Sequence, residues 1–135
     1  MREAIKEARK SLEPLKCGVV IVRDGKIIAR AHNTQRETNN ASAHAEINAV
    51  AVAGNELKNK HLEGCEVYCT CEPCIMCLTA LSYAKIKILY YGLTLKKVSD
   101  KDKVIDIGVE EFMEKSPYKF VVIKNFLEEE CEVLL

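Results

Sequence analysis

The chain contains 135 residues, enough for one domain with a single hydrophobic core and too few for two. Hydrophobic residues form 48% and charged residues 30% of the sequence, a balance that argues against an intrinsically disordered protein. The 20 basic and 20 acidic residues cancel, so no broad positive field favours nucleic acid as a partner.

The N-terminal segment and the cysteines indicate the cellular setting. Residues 1–16 are charged and amphipathic, without the apolar core of a signal peptide or a membrane-spanning run, so we expect a cytoplasmic protein with no membrane partner. Four of the seven cysteines lie between Cys69 and Cys77, a poor layout for disulfides. In a reducing compartment, such clustered thiols indicate metal binding.

In chain order, the first predicted elements are a helix and a hairpin. Apolar residues at steps of three and four predict an amphipathic helix over residues 2–13, which ends before Pro14. The apolar runs 17–22 and 26–31 flank the dipeptide Asp24-Gly25, which favours a tight turn. These two runs therefore predict an antiparallel pair of strands.

A polar loop and a second helix come next. Segment 32–42 is polar and predicts a loop, while residues 43–53 have a helix-forming composition that ends near Gly54. Ser42 is the predicted N-cap of this helix.

The following segment predicts a strand, a helix and a strand. Residues 66–70 and 86–91 are apolar strands, and the helix between them, 73–84, opens with Pro73. A right-handed crossover of this kind joins parallel strands. Because the first hairpin is antiparallel, the sequence predicts an α/β fold with a mixed sheet.

The last third of the chain has a weaker pattern. A charged loop follows Gly92, and we predict a short helix at 110–115, a strand at 119–123 and an acidic tail. No internal repeat is present, so residues 1–135 are predicted to form a single domain.

Two cysteines are candidate metal ligands. Cys74 and Cys77 are three residues apart at the predicted start of a helix, so their side chains share one face. The unpaired amides and the dipole of a first helical turn favour thiolate, the form that binds zinc. A catalytic zinc takes three ligands from the protein and leaves one position for water.

The segment His44-Ala45-Glu46 is the best source of the third ligand. In mid-helix, side chains two apart point about 200° apart, so His44 and Glu46 converge only near the first turn. If His44 binds the metal, the carboxylate of Glu46 is free to take a proton from water and deliver it to a ring nitrogen. Zinc with this division of labour is typical of hydrolytic deamination.

His-x-Glu followed by Pro-Cys-x-x-Cys is the motif pair of zinc deaminases acting on nucleobases. The sequence resembles the cytidine deaminase-like superfamily, in particular its branch of guanine deaminases, cytosine deaminases and bacterial tRNA adenosine deaminases. The resemblance covers residues 18–92, through GVVIVRDGKIIARAHN, SAHAEINAV and CTCEPCIMCLTAL.

The resemblance implies roles for individual residues. His44, Cys74 and Cys77 are the expected Zn²⁺ ligands and Glu46 is the expected catalytic proton shuttle. It implies further that Asn33 contacts the base through its side chain and Ala45 through its backbone. The implied fold is a three-layer α/β/α arrangement around a mixed five-stranded sheet, assembled as a homodimer or a higher homo-oligomer.

The resemblance favours guanine as the substrate, hydrolysed to xanthine and ammonia. Cys71, directly before Glu72-Pro73-Cys74, is similar to guanine deaminases, whereas tRNA adenosine deaminases commonly carry leucine there. Residues 106–111 are similar to a guanine deaminase element whose acid meets the donor edge of the base, which makes Glu111 a candidate substrate contact.

Several alternatives remain open. Cytosine, a nucleoside or the adenosine of a tRNA are other substrates for the same chemistry, and an RNA substrate requires a basic rim. The lysines available for such a rim are Lys58, Lys60, Lys85, Lys87, Lys96 and Lys97. A zinc-stapled module without catalysis is the non-enzymatic alternative, and a four-thiolate site that adds Cys69 and Cys71 is the competing metal site.

Overall fold

The sheet begins with an antiparallel hairpin in the computed structural model, which describes residues 1–101 and 103–135. Strand β1 (Gly18–Arg23) pairs with β2 (Lys26–His32). Asp24 and Gly25 have φ angles of 49° and 74°, the left-handed conformation that a two-residue hairpin turn needs at both positions. The predicted hairpin is confirmed.

Three further strands complete a mixed sheet. Strand β3 (Glu66–Cys71) is antiparallel to β1, while β4 (Ile88–Leu93) and β5 (Val121–Ile123) continue in parallel, which gives the order β2-β1-β3-β4-β5. The parallel β3–β4 pair is joined through a helix, as the sequence predicts. The mixed five-stranded sheet and the α/β class are therefore confirmed.

Helices cover both faces of the sheet. They are α1 (Arg2–Ala8), α2 (Gln35–Thr38), α3 (Ala45–Leu57), α4 (Ile75–Tyr83), α5 (Leu95–Val98), α6 (Val109–Lys115), α7 (Glu128–Cys131) and a 3-10 turn, Glu132–Leu134. Helices α3 and α4 bury one face, where the core includes Val19, Val67 and Leu89. Helices α1 and α7 lie on the other face, against Gly18 and Gly92.

Two glycines let helices approach the second face closely. A Cβ atom on Gly18 would collide with the backbone of Ala4 and Ala8 in α1, and one on Gly92 would collide with the side chain of Cys131 in α7. Because neither glycine has a side chain, α1 and α7 pack directly against the backbone of the strands. The resulting apolar cluster includes Ile5, Ala8, Leu93, Val98 and Cys131.

The first helix is shorter than the sequence predicts. Helix α1 ends at Ala8 instead of residue 13, and the amides of Lys10 and Ser11 bond three residues back as the chain leaves the helix. The Ser11 hydroxyl donates to the Asn33 carbonyl and accepts from the Glu13 amide. These bonds hold the segment away from a helical path, as serine side chains often do.

The starts of α3 and α4 also differ from the prediction. His44, not Ser42, is the N-cap of α3, because the Ser42 hydroxyl donates to the side chain of Asn40. Cys74 is the N-cap of α4, and Pro73 precedes the helix instead of opening it. The Glu72 amide donates to the Leu93 carbonyl, so hydrogen bonding with β4 continues one residue past the end of β3, to the residue before Pro73.

Smaller differences concern lengths. Helix α3 continues past Gly54 to Leu57, the predicted loop 32–42 contains α2, and the acidic tail contains α7. Within the part of the chain that the structure describes, no helix has the length and apolarity to cross a membrane.

Candidate active site

Three candidate metal ligands meet where α3 and α4 begin. His44 and Cys74 occupy the N-cap positions of the two helices, both with extended backbone, and Cys77 is the third residue of α4. The two helices contact each other on one face of the sheet. Residues 30 positions apart in the chain are therefore brought together by the packing of two helix starts.

The spacing of the three ligand atoms fits zinc. The Nδ1 atom of His44 lies 3.7 Å from Cys74 Sγ and 3.6 Å from Cys77 Sγ, and the two sulfurs are 3.7 Å apart. Around a tetrahedral zinc, standard bond lengths give about 3.6 Å for nitrogen–sulfur and about 3.8 Å for sulfur–sulfur pairs. These residues are positioned to bind the ion, and three ligands leave a fourth position open.

The electrostatics of the pair of thiols favour ligation. The hydrogen bond from Cys77 and the proximity of His44 lower the pKa of Cys74 to about 4. The same hydrogen bond, together with burial, raises the pKa of Cys77. One thiol is thus ready as a thiolate at neutral pH, and thiolate is the form that binds metal.

Glu46 lies beside this group of ligands. It is the second residue of α3, only 5% exposed, and lies close enough to the Cys77 thiol for each group to shift the pKa of the other. Burial raises its pKa. Because His44 lies at the N-cap, outside the helical geometry, both His44 and Glu46 reach Cys77. As predicted, the side chains of His44 and Glu46 converge at the first turn of α3.

The sequence matches the family described as the cytidine and deoxycytidylate deaminase zinc-binding region over residues 1–93, which contain all four of these residues. The chain belongs to this deaminase family. Zinc is its cofactor, in agreement with the geometry of the three ligands.

Curated relatives of this deaminase family are tRNA-specific adenosine deaminases. The protein from Aquifex aeolicus is 40% identical over 99 residues, which cover 72% of this chain and 66% of the relative. The protein from Agrobacterium fabrum is 45% identical over 94 residues, which cover 68% and 62%. The matched segments span slightly less than two thirds of these two relatives.

Solved structures agree on the deaminase fold. A tRNA:A34 deaminase structure from a study of A-to-I editing at the wobble position of transfer RNA has a TM-score of 0.86 and 34% identity, and the match covers 100% of this chain and 97% of that one. Guanine deaminase from Bacillus subtilis has a TM-score of 0.70 and 33% identity, with 73% and 65% covered.

An open cavity lies beside the deaminase metal ligands. It has a volume of about 260 Å³ and is bounded on one side by the helix starts and on the other by the segment between α5 and α6. Its lining residues are Gln35, Ala41, His44, Cys74, Ile75, Met76, Lys103, Val104 and Ile105. This is a smaller volume than most ligand pockets have, and it suits a base better than a whole nucleotide.

The three predicted substrate contacts lie in different surroundings. Asn33 is buried, and its side chain accepts from the Cys17 amide and donates to the Leu15 carbonyl. Ala45 is fully buried at the first position of α3, next to His44. Glu111 pairs with Lys115 and lines a different pocket, between α4 and α6. The structure does not bring Glu111 to the His44 cavity.

The competing four-thiolate site does not form. Among the described residues, the one group of three or more histidine, cysteine or acidic side chains that could hold a metal is the group of His44, Cys74 and Cys77. Cys69 and Cys71 are buried core residues, and the Cys71 sulfur lies 3.0 Å from that of Cys17. The hydrogen bond to Cys71, followed by burial, raises the pKa of Cys17.

Two polar residues near the site were missed by the sequence analysis. Asn48, one turn into α3, donates to the His32 carbonyl and the Thr34 hydroxyl and so ties the helix start to the end of β2. Glu72 is buried, and both of its carboxylate oxygens accept backbone amides. No sequence pattern predicts these hydrogen bonds. The position of Glu72 inside the cysteine motif does indicate that the residue lies near the site.

Proposed function

We propose that this protein is a zinc-dependent adenosine deaminase that converts adenosine to inosine in a tRNA. The observation that carries the proposal is the match to the tRNA:A34 deaminase structure, which extends over the whole chain. The curated tRNA-specific relatives support the same substrate. The sequence predicts this substrate as an alternative and favours guanine.

One of the two features that favoured guanine is a residue with another role. Cys71 is 4% exposed and packs with Leu93, Leu95 and Cys131 in the apolar cluster between the sheet and helices α1 and α7, here called the second apolar cluster. A small thiol at this position is explained by packing and carries no information about the base. Glu111, the other guanine feature, faces a separate pocket.

Guanine remains the second candidate substrate. Guanine deaminase from Bacillus subtilis is 33% identical and supports it, but the match leaves a larger part of both chains uncovered. The difference between the two candidates lies in what surrounds the base, because both reactions replace an exocyclic amine with oxygen.

His44, Cys74 and Cys77 would hold the zinc through one nitrogen and two sulfurs. When bound, the ion lowers the pKa of a coordinated water toward neutrality. The 3.6–3.7 Å spacing of the three ligand atoms requires little rearrangement for binding. The helix starts therefore preorganise the site before the metal arrives.

We assign the proton transfers to Glu46. Its carboxylate takes one proton from the attacking water and gives it to the ring nitrogen beside the reacting carbon. The water oxygen bonds to that carbon, the bond to the exocyclic nitrogen breaks, and the second water proton leaves with ammonia. One water is consumed and one ammonia is released, so atoms and charge balance.

The two remaining predicted contacts belong to base recognition. Asn33 lies at the end of β2, and its amide can make further hydrogen bonds beyond the two that hold the backbone. The backbone of Ala45 lies between the metal ligand His44 and the carboxylate of Glu46. We propose that both groups hold the adenine ring against the metal centre.

The open shape of the cavity favours a base that is still attached to an RNA chain. A nucleotide that is turned out of its stack needs a pocket for the base and an entrance for the backbone. Lys103 lines the cavity and can meet a phosphate. Of the predicted rim, Lys97 is neutralised by Glu128 and Glu132, while Lys85 lies over the Tyr118 ring.

We also propose a homodimer formed through α4. This helix contains no charged residue, yet Tyr83 at its end is 66% exposed. A helix without charged residues is normally buried, so a second copy is expected to cover its outer face. Light scattering on the eluting protein measures the mass, and a monomer at micromolar concentration would overturn this proposal.

The decisive experiment compares substrates. Zinc-loaded protein is incubated with an anticodon stem-loop RNA that carries adenosine at the wobble position, and separately with guanine, cytosine, cytidine and adenosine. We expect inosine in the RNA and no ammonia from the small molecules, with Glu46→Gln as the inactive control. Ammonia from guanine and an unchanged RNA would replace our proposal with the second candidate.

A further inference from the structure

Glu72 is a buried carboxylate that the proposed chemistry does not use. It is 8% exposed, and among the described residues no lysine, arginine or histidine forms an ion pair with it. A buried carboxylate is unfavourable unless its oxygens receive hydrogen bonds. The partners of Glu72 therefore show why the fold keeps it.

Both oxygens of Glu72 accept backbone amides from two separate elements. Oε2 accepts from the Leu95 amide at 2.9 Å, and Oε1 accepts from the Val109 amide at 2.9 Å. These are the first residues of α5 and α6, whose amides have no acceptor within their own helices. Hydrogen bonds to a charged acceptor are stronger than those between neutral groups.

These two bonds fix both ends of one segment. Leu95 is bound at one oxygen of Glu72 and Val109 at the other, and between them in the sequence lie Lys103, Val104 and Ile105 of the cavity wall. Gly108 completes the closure, since a Cβ atom there would stand only 3.2 Å from Oε1. The buried side chains of Val98 and Val109 add apolar anchors at the same ends.

The same stretch of backbone carries a metal ligand. Glu72 is two residues before Cys74, which binds at the opposite wall of the cavity. The carboxylate thus connects the metal side of the cavity to the wall that faces it. It does not line the cavity, so direct contact with the substrate is not its role.

We propose that Glu72 is a positioning residue that sets the distance between the metal centre and the wall formed by residues 103–105. The fit of the substrate, and not the chemical step, depends on it. The effect on substrate rests on the proposed function, whereas the effect on the segment 95–109 does not.

The test uses zinc-loaded protein with the substitution Glu72→Gln. The amide keeps the size of the side chain but presents an NH₂ group to one of the two amide donors, so one bond is lost. Loss of a charge-assisted bond is expected to raise hydrogen exchange in segment 95–109 about 10-fold. We expect one zinc per chain to remain.

The kinetic readout separates positioning from simple stability. For the adenosine stem-loop RNA, we expect KM to rise about 10-fold and kcat to change less than about 3-fold, since only binding geometry is altered. The matched control is Glu114→Gln, an exposed carboxylate on α6, which should leave zinc, exchange and KM unchanged.

A second variant approaches the contact from the other side. Gly108→Ala keeps Glu72 but places a methyl group against Oε1, so it should raise exchange and KM in the same direction by a smaller factor. It serves as the main test if Glu72→Gln fails to fold.

Each outcome has one meaning. Unchanged exchange in 95–109 would overturn the proposal, as would loss of zinc or a fall in kcat with an unchanged KM. If the wild-type protein leaves the RNA unmodified, the proposed function fails by itself, while exchange in Glu72→Gln still decides whether the carboxylate holds the segment.

Discussion

The two walls of the active-site cavity are built by different means. On the metal side, His44 and Cys74 stand at the starts of α3 and α4, whose inner residues Ala45, Ala49 and Leu78 are fully buried against the sheet. On the facing side, Lys103, Val104 and Ile105 belong to a connecting segment, and Ile105 is 65% exposed. Of these three residues, Val104 packs against the apolar cluster beneath α1 and α7.

This difference separates chemistry from recognition. The groups that must stay within tenths of an ångström of each other are attached to the densely packed core, where small displacements are costly. The groups on the facing wall are attached to a connecting segment, where we expect local opening to cost less free energy. Substitutions on the two sides should therefore affect different measurements. Three predictions test this difference, and a fourth concerns the opposite face of the sheet.

The largest expected effect follows from removing a metal ligand. Cys74→Ala leaves two protein ligands where a stable zinc site needs at least three, so zinc and turnover should both be lost. Elemental analysis of the purified protein and inosine formation measure the two quantities. Full zinc occupancy in this variant would show that the metal is held elsewhere.

The second effect is on rate alone. Glu46→Gln removes the group that moves protons but keeps its size, so we expect turnover to fall by about 10²–10⁴-fold. Zinc content should match the wild type, because the three ligands are untouched. Turnover within a factor of three of the wild type would assign the proton transfers to another group.

The third effect is on stability, on the face of the sheet away from the metal. Gly18→Ala adds a methyl group against the α1 backbone at Ala4 and Ala8, which cannot move aside as a flexible side chain would. We expect the free energy of unfolding to fall by about 1–3 kcal/mol in urea denaturation.

The same substitution in α3 provides the control for this experiment. Gly54→Ala meets only the Asn59 carbonyl, at 3.3 Å, and gains about 1 kcal/mol of helix propensity that offsets the contact. Equal stability changes in the two variants would show that α1 does not depend on the missing side chain.

The smallest effect concerns the recognition wall. Lys103→Ala should weaken binding of the stem-loop RNA a few-fold and reduce the slope of log K against log salt by about 1, as expected for one lost phosphate contact. Lys26→Ala, at the opposite end of β2 from His32, is the matched control and should leave binding unchanged. An unaltered salt slope in Lys103→Ala would place the RNA elsewhere.

The sequence is informative where a motif and a packed helix start coincide. The spacing of Cys74 and Cys77 and the segment around His44 made these residues candidate ligands, and the family resemblance assigned them to zinc. The strands were predicted from apolar runs, and the hairpin from Asp24-Gly25. Helix starts were misplaced by one or two residues, since the bond from Ser42 to Asn40 and the extension of β3 are not visible in a pattern.

The substrate was harder to predict for a physical reason. Cys71 looked like a substrate signal because it lies in the motif, but its side chain meets Cys17 and the second apolar cluster. The residues that do line the far wall, Lys103 to Ile105, lie in a segment without periodicity. Their position depends on Glu72, whose partners are backbone amides that any sequence could supply.

The bonding of Glu72 also bears on how such a protein can change. Its carboxylate binds two amides and no side chain, so the exposed residues between Leu95 and Val109 can change without loss of these bonds, provided that a helix starts at each end and that Val98 and Gly108 are kept. A new substrate can then be accommodated by replacing one loop, while the residues that bind metal and move protons stay as they are. The residues that bind metal and move protons thus lie on packed helices, and the residues that meet the substrate lie on a replaceable loop. The buried carboxylate of Glu72 connects the two.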